Sequence, residues 1–120
     1  MVPAEQNITI YRGDSFSLTL RLRQRNADGT AGTYLDLTGV VARAQIRATE
    51  DAPDVLATFV TTVLDQVATP GGVSLTLATA DTAVLPANMP SKWDVELDFP
   101  NGDVKTYLKG TVSVVADVTK

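Results

Sequence analysis

Three carboxylates at alternate positions, Asp94, Glu96 and Asp98, are the residues whose types and spacing come closest to a reactive site. On a strand they project from one face, about 7 Å between neighbours at a rise of about 3.4 Å per residue. Calcium is the cation such a row would take. It needs six or more oxygens closing within about 2.5 Å, and a flat strand face does not wrap it without ligands from loops. Paired carboxylates also hydrolyse glycosides, but that chemistry needs a pocket, and these acids are expected outward on a convex sheet with no aromatic platform beside them. The structural reading is stronger, because Arg43 and Arg47 also point outward. If their strand lies beside the acidic one, cross-strand ion pairs of roughly 0.2–1 kcal/mol each favour the correct register.

Nucleophilic chemistry has little to work with. Five serines are present, but the chain has no histidine and no cysteine, so the commonest general base, the commonest transition-metal ligand and the thiolate are all missing. No Ser-x-x-Lys and no Gly-x-Ser-x-Gly occurs, and Ser15 and Ser17 read as solvated strand residues. Gly71-Gly72 has no following helix and no lysine, so it is a hairpin turn and not a phosphate loop. Arg12-Gly13-Asp14 spells a tripeptide known as an integrin ligand, yet its position is that of the turn between the first two strands. Trp93 heads an apolar strand face and is expected in the core. Tyr11, Tyr34 and Tyr107 are too scattered for a sugar-binding platform. No catalytic residue, cofactor-binding residue or metal ligand is assigned, no cofactor is expected, and the chain is read as a non-enzyme.

The partners are bounded by charge. A net charge of −4, with ten basic residues forming no run, lacks the basic stripe that binds a phosphate backbone, so no nucleic acid is expected. No stretch approaches the roughly 18 apolar residues of a membrane span, and the first residues show no basic leader or apolar segment, so no membrane partner or secretion signal is expected. At 120 residues the chain fits one domain, residues 1–120, and its 44% apolar content suits a folded core. Residues 1–6 and 116–120 lack alternation and are expected as loose tails or as arms that order against a neighbour.

The elements that position these residues follow from period-two patterning. Phe16, Leu18, Leu20 and Leu22 oppose Ser17, Thr19, Arg21 and Arg23 over residues 15–23, which is a strand with one buried face. Val40, Ala42, Ala44 and Ile46 oppose Val41, Arg43, Gln45 and Arg47. The split is cleanest over residues 92–99, with Trp93, Val95, Leu97 and Phe99 inside and the three acids outside. Further strands are expected at 7–11, 56–64, 73–78, and 104–108 continuing past Gly110 to 115. Turn residues separate them, and Asn101-Gly102 predicts that the last two strands pair antiparallel. Residues 79–85, with Thr79 as cap and Pro86 as stop, predict one helical turn crossing between sheets. The fold class is therefore all-β, an immunoglobulin-like antiparallel β-sandwich of about seven strands with one short helical turn; a small closed barrel is the alternative.

The stretch from Ile8 to Arg23, with its Arg12-Gly13-Asp14 turn before a Phe-x-Leu-x-Leu strand, then Asp28-Gly29, Leu35-Asp-Leu-Thr-Gly39 and Ala42 to Arg47, resembles small immunoglobulin-like virion proteins of tailed bacteriophages. It is similar to the N-terminal domain of the baseplate upper protein family. Trp93 to Asp103 and Leu108 to Val115 resemble the closing hairpin of such domains, so the resemblance covers most of the chain. It implies a structural virion role with no catalytic residues, assembly in the host bacterial cytoplasm, and partners that are other virion proteins in a symmetric multi-copy assembly. Unlike the baseplate members, the chain is expected to act without a long C-terminal receptor-binding extension, which speaks against a direct host-recognition role. Tail or baseplate is the expected site; capsid decoration and a carbohydrate- or host-surface-binding module are the alternatives. Docking is expected at residues 1–11, residues 116–120 or the sheet edges, where unpaired backbone adds a partner.

Overall fold

The computed structural model describes residues 4–25, 27–87 and 89–116. In chain order the elements are β1 (Ala4–Glu5), β2 (Ile8–Tyr11), β3 (Phe16–Arg21), β4 (Arg23–Arg25), β5 (Ala31–Tyr34), β6 (Val41–Arg47), β7 (Ala57–Thr58), β8 (Val60–Val63), β9 (Gly72–Leu77), α1 (Thr79–Ala83), β10 (Ser91–Asp98) and β11 (Val104–Val115). One sheet runs β1-β11-β10-β6-β7, with β2 also paired to β11, and a second runs β3-β9-β8; β4 and β5 form a separate hairpin. The chain is an all-β sandwich with one short helix. Most interior positions expected from alternation are buried: Ala42, Ala44, Ile46, Trp93, Val95 and Leu97 of the larger sheet, and Leu20 beside Val73, Leu75 and Leu77 in the smaller one, while Phe16, Leu18 and Phe99 are half-buried.

The strands differ from the expected seven for local reasons. Residues 56–64 do not make one strand, because the buried Phe59 is a pivot between sheets: its N–H bonds the Ala44 carbonyl at 2.9 Å, β7 lies on β6, and β8 lies on β9. The strand expected over 15–23 divides at Leu22, whose N–H donates to Gly71 and whose carbonyl accepts from Leu35. Helix α1 lies between β9 of one sheet and β10 of the other in chain order, as expected. Thr79, however, is not its cap. The cap position is Ala78, without a side-chain bond, and Thr79 is the first helical residue. The closing hairpin is antiparallel, with Gly102 N–H donating to the Phe99 carbonyl and Phe99 N–H to that of Asp103.

Part of the expected N-terminal arm is built into the larger sheet. Ala4 and Glu5 pair parallel with Leu108 and Lys109, and Gln6 N–H donates to the Lys109 carbonyl at 2.9 Å. The Gln6 carbonyl accepts the Trp93 indole N–H at 2.8 Å, and Asn7 Oδ1 accepts from Thr111 N–H at 3.1 Å. A buried indole N–H must find an acceptor, and here that need fastens the start of the chain to the core. The crossing runs over Gly110, where any Cβ would collide with the Gln6 carbonyl. The rest of the expected arms, residues 1–3 and 117–120, lies outside the described residues. Gly110→Ala is expected to destabilise the domain by about 1–3 kcal/mol, the usual cost of forcing an extra methyl into packed structure; a denaturant midpoint unchanged from wild type would refute this close approach.

Candidate functional site

The outer face of the larger sheet gathers most of the residues that sequence reasoning singled out. Burying Trp93, Val95 and Leu97 turns Asp94, Glu96 and Asp98 outward on β10. On one side, register sets Glu96 opposite Arg43, Asp94 opposite Gln45 and Lys92 opposite Arg47. On the other, Asp94 opposes Lys109 and Lys92 opposes Thr111. The expected cross-strand pairs form at Arg43, whose Nη2 lies 2.9 Å from Asp98 Oδ2 and whose Nε lies 3.8 Å from Glu96 Oε1. These groups are exposed by a third or more, so the pairs contribute at most about 1 kcal/mol each and act chiefly on register.

Arg47 departs from expectation. Register places a second cation, Lys92, directly across from it, and like charges opposite each other repel. Its guanidinium instead donates to the Ala52 and Pro53 carbonyls at 2.8 and 3.1 Å and to Gln45 Oε1 at 3.2 Å. Arg47 therefore holds the loop after β6.

The face carries a groove, where no pocket was expected. Thr49 and Glu50 of that loop stand on one side and Glu5 of β1 on the other, leaving a groove of about 660 Å³ lined also by Arg47, Lys92, Asp94, Glu96 and Lys109. Glu5, Lys92 and Lys109 escaped sequence reasoning. A bulge opposite Val95 and Glu96 makes Tyr107 an extra residue, and past it Lys109 stands on the outer face opposite Asp94. Asp94 is the half-buried acid of this groove, and no hydrogen bond or ion pair reaches its carboxylate among the described residues. Burial raises its pKa above the ordinary carboxylate value, neighbouring Glu96 adds to the rise, and Arg47 opposes it. No group of three or more acidic side chains among the described residues is arranged to hold a metal ion.

The remaining candidates disperse. Trp93 is 3% exposed and packs 6.0 Å from Phe59, so it belongs to the core. Tyr11 is exposed, Tyr34 lies beneath the Arg21 and Arg23 guanidinium groups, and Tyr107 packs on Phe99, so the tyrosines do not form a common platform. Ser15 and Ser17 are exposed. Gly71-Gly72 leads into β9, with Gly71 N–H bonded to Gln66 Oε1 at 2.8 Å.

Arg12-Gly13-Asp14 forms the turn between β2 and β3, closed by Asp14 N–H to the Tyr11 carbonyl at 3.1 Å, with Gly13 at φ 88°. Its anchor is Thr82, fully buried in α1, whose hydroxyl accepts from Gly13 N–H at 3.0 Å and donates to the Asp14 carbonyl at 2.7 Å. Nothing in the sequence pairs positions 13 and 82; only the crossing of the helix brings them together.

Compared with known proteins, the chain matches no protein-family model and no curated sequence.

Two outcomes test this geometry. Because Asp94 binds its proton more tightly in the folded state, its charge detracts from stability as pH rises from the unfolded value of 3.8 through the folded pKa, and the full penalty remains above that. Asp94→Asn should therefore raise the melting temperature at pH 7 and leave it nearly unchanged at pH 3; a fall at pH 7 would contradict the unpaired, half-buried carboxylate. Thr82→Val keeps shape but strands Gly13 N–H and the Asp14 carbonyl, and should cost about 1–3 kcal/mol in chemical denaturation, against no measurable loss if the hydroxyl is idle.

Proposed function

We propose that the chain is a non-enzymatic structural protein of a bacteriophage virion that docks onto other virion subunits, in the tail or baseplate. The observation that carries this reading is the outer face of the larger sheet. It presents acids and bases in a fixed cross-strand order, with Arg43 locked on Asp98 and Arg47 locked on the 52–53 loop. Preset charges of both signs select a partner surface of complementary pattern and orient it, which is a use suited to assembly.

The turns that carry the resemblance to phage immunoglobulin-like domains support the same reading. Asp28 Oδ1 accepts from Thr30 N–H and Oγ1 at 3.0 and 2.6 Å in the β4–β5 hairpin, and Asp36 Oδ1 accepts from Thr38 N–H and Oγ1 at 3.1 and 2.7 Å ahead of β6. In each case the Thr side-chain bond, then the Thr backbone bond, holds the aspartate below its ordinary pKa. Both motifs are self-contained turn locks of the Asx type, which explains how the resemblance resides in short sequences. Against an enzymatic role stands the absence of histidine and cysteine.

The test is the chain's abundance in purified particles relative to the major capsid protein. Copies in the tens support the tail or baseplate, copies in the hundreds move the chain to the shell as a decoration protein, and absence from particles overturns the virion reading.

A further inference from the structure

The edges of the two sheets are not equally protected. In the larger sheet the edge formed by β1 and β2 is interrupted at Gln6 and Asn7, and the opposite edge is the two-residue β7. In the smaller sheet β8 lies close to β6, and Thr61 Oγ1 donates to the Ala42 carbonyl at 2.7 Å. Strand β3 is different. Its six residues, Phe-Ser-Leu-Thr-Leu-Arg, contain no proline and no charge before Arg21, they pair with β9 in unbroken register, and no strand pairs on their other side among the described residues. Natural sheets guard such edges with bulges, prolines or lysines, and none of these occurs within β3. The core beside it is also incompletely covered. Phe16 and Leu18 are only partly buried, whereas their partners across the ladder, Leu77 and Leu75, are 2% and 0% exposed.

The direction of the free backbone groups can be derived. Leu22 N–H donates to Gly71 on the β9 side at 2.8 Å, and Gly72 turns its carbonyl the other way, to Leu64 on the β8 side. By alternation Leu20, Leu18 and Phe16 bond β9, while Ser17, Thr19 and Arg21 direct their N–H and C=O groups to the open edge. We propose that this edge pairs with the same edge of a second copy of the chain, antiparallel about a two-fold axis at Thr19, joining two smaller sheets into one.

The edge is self-complementary in that register. Thr19 faces the second copy's Thr19, and Ser17 faces Arg21 in both directions, so every outward backbone group is used and up to about six hydrogen bonds form. On the inward side Leu18 meets Leu20 and Phe16 meets Leu22, apolar against apolar, which completes the cover over the half-buried pair. No like charges are opposed. Centring the axis on Leu18 loses a bonded pair, and a one-residue slip sets leucines against hydroxyls on the wrong face. A foreign strand would have to supply the pattern that the chain already carries. The pairing depends on the β3 edge alone and is independent of where the chain acts.

The chain has no cysteine, so a single introduced thiol reports the contact. Across a hydrogen-bonded antiparallel pair the Cα atoms lie about 5.5 Å apart, within the span of a disulfide. In the full chain Thr19→Cys should form a covalent dimer under mild oxidation at least about tenfold faster than Ser113→Cys, an exposed position on β11. Sedimentation of the unmodified chain should show a concentration-dependent dimer, and Thr19→Lys, which sets two ammonium groups face to face, should weaken it by about tenfold or more while the dilute monomer keeps its melting temperature. Should Thr19→Lys fail to fold, the two cysteine variants still decide. Equal cross-linking rates for them, or a chain that sediments as a monomer at every concentration, would overturn the proposal.

Discussion

The bond between the Trp93 indole and the Gln6 carbonyl decides which sheet receives the start of the chain. Trp93 must be inside because it belongs to the apolar face of β10, and once inside its N–H must be satisfied. Gln6 supplies the acceptor only by passing over Gly110, and that path commits β1 and β2 to the edge of β11. The first strands therefore close the larger sheet and leave β3 at the edge of the smaller one. The closed edge of the larger sheet and the open edge of the smaller one are two consequences of one placement.

The two sheets differ accordingly in what they offer. The larger sheet is wide, and its outer face is a plate of fixed charges with a shallow groove between the loop after β6 and β1. The smaller sheet has three strands, and its outer face carries the hydroxyls of Ser17, Thr19, Thr62, Ser74 and Thr76 in register, with Arg21 as the charge on β3. Charged plates choose and orient a partner, whereas backbone edges bind by direct pairing and tolerate many sequences. Under the two proposals, one surface serves recognition and the other self-assembly.

What alternation encodes was legible in the sequence. Period two over 15–23, 40–47 and 92–99 gave the strands, apart from the break at Leu22, the sides they turn inward and the outward row of acids, because each residue's side depends only on its neighbours. The pairing of Arg43 followed from that parity. The partner of Arg47 did not, since it depends on a loop that folds back within reach. Phe59 as a pivot, the bulge at Tyr107 and the hold of Thr82 on the Gly13 turn were likewise invisible, because each arises where two distant segments meet. The groove had no sequence signal at all: its depth comes from rims on separate elements, not from the face that forms its floor.

Residue-resolved hydrogen exchange on the dilute chain tests the placement of the first strands most directly. The account predicts alternation along β3, with Ser17, Thr19 and Arg21 exchanging rapidly and Leu18 and Leu20 slowly, together with a protected Gln6 amide. Uniform protection through β3 with a freely exchanging Gln6 would mean that the N-terminal strand covers the smaller sheet instead, and would contradict it.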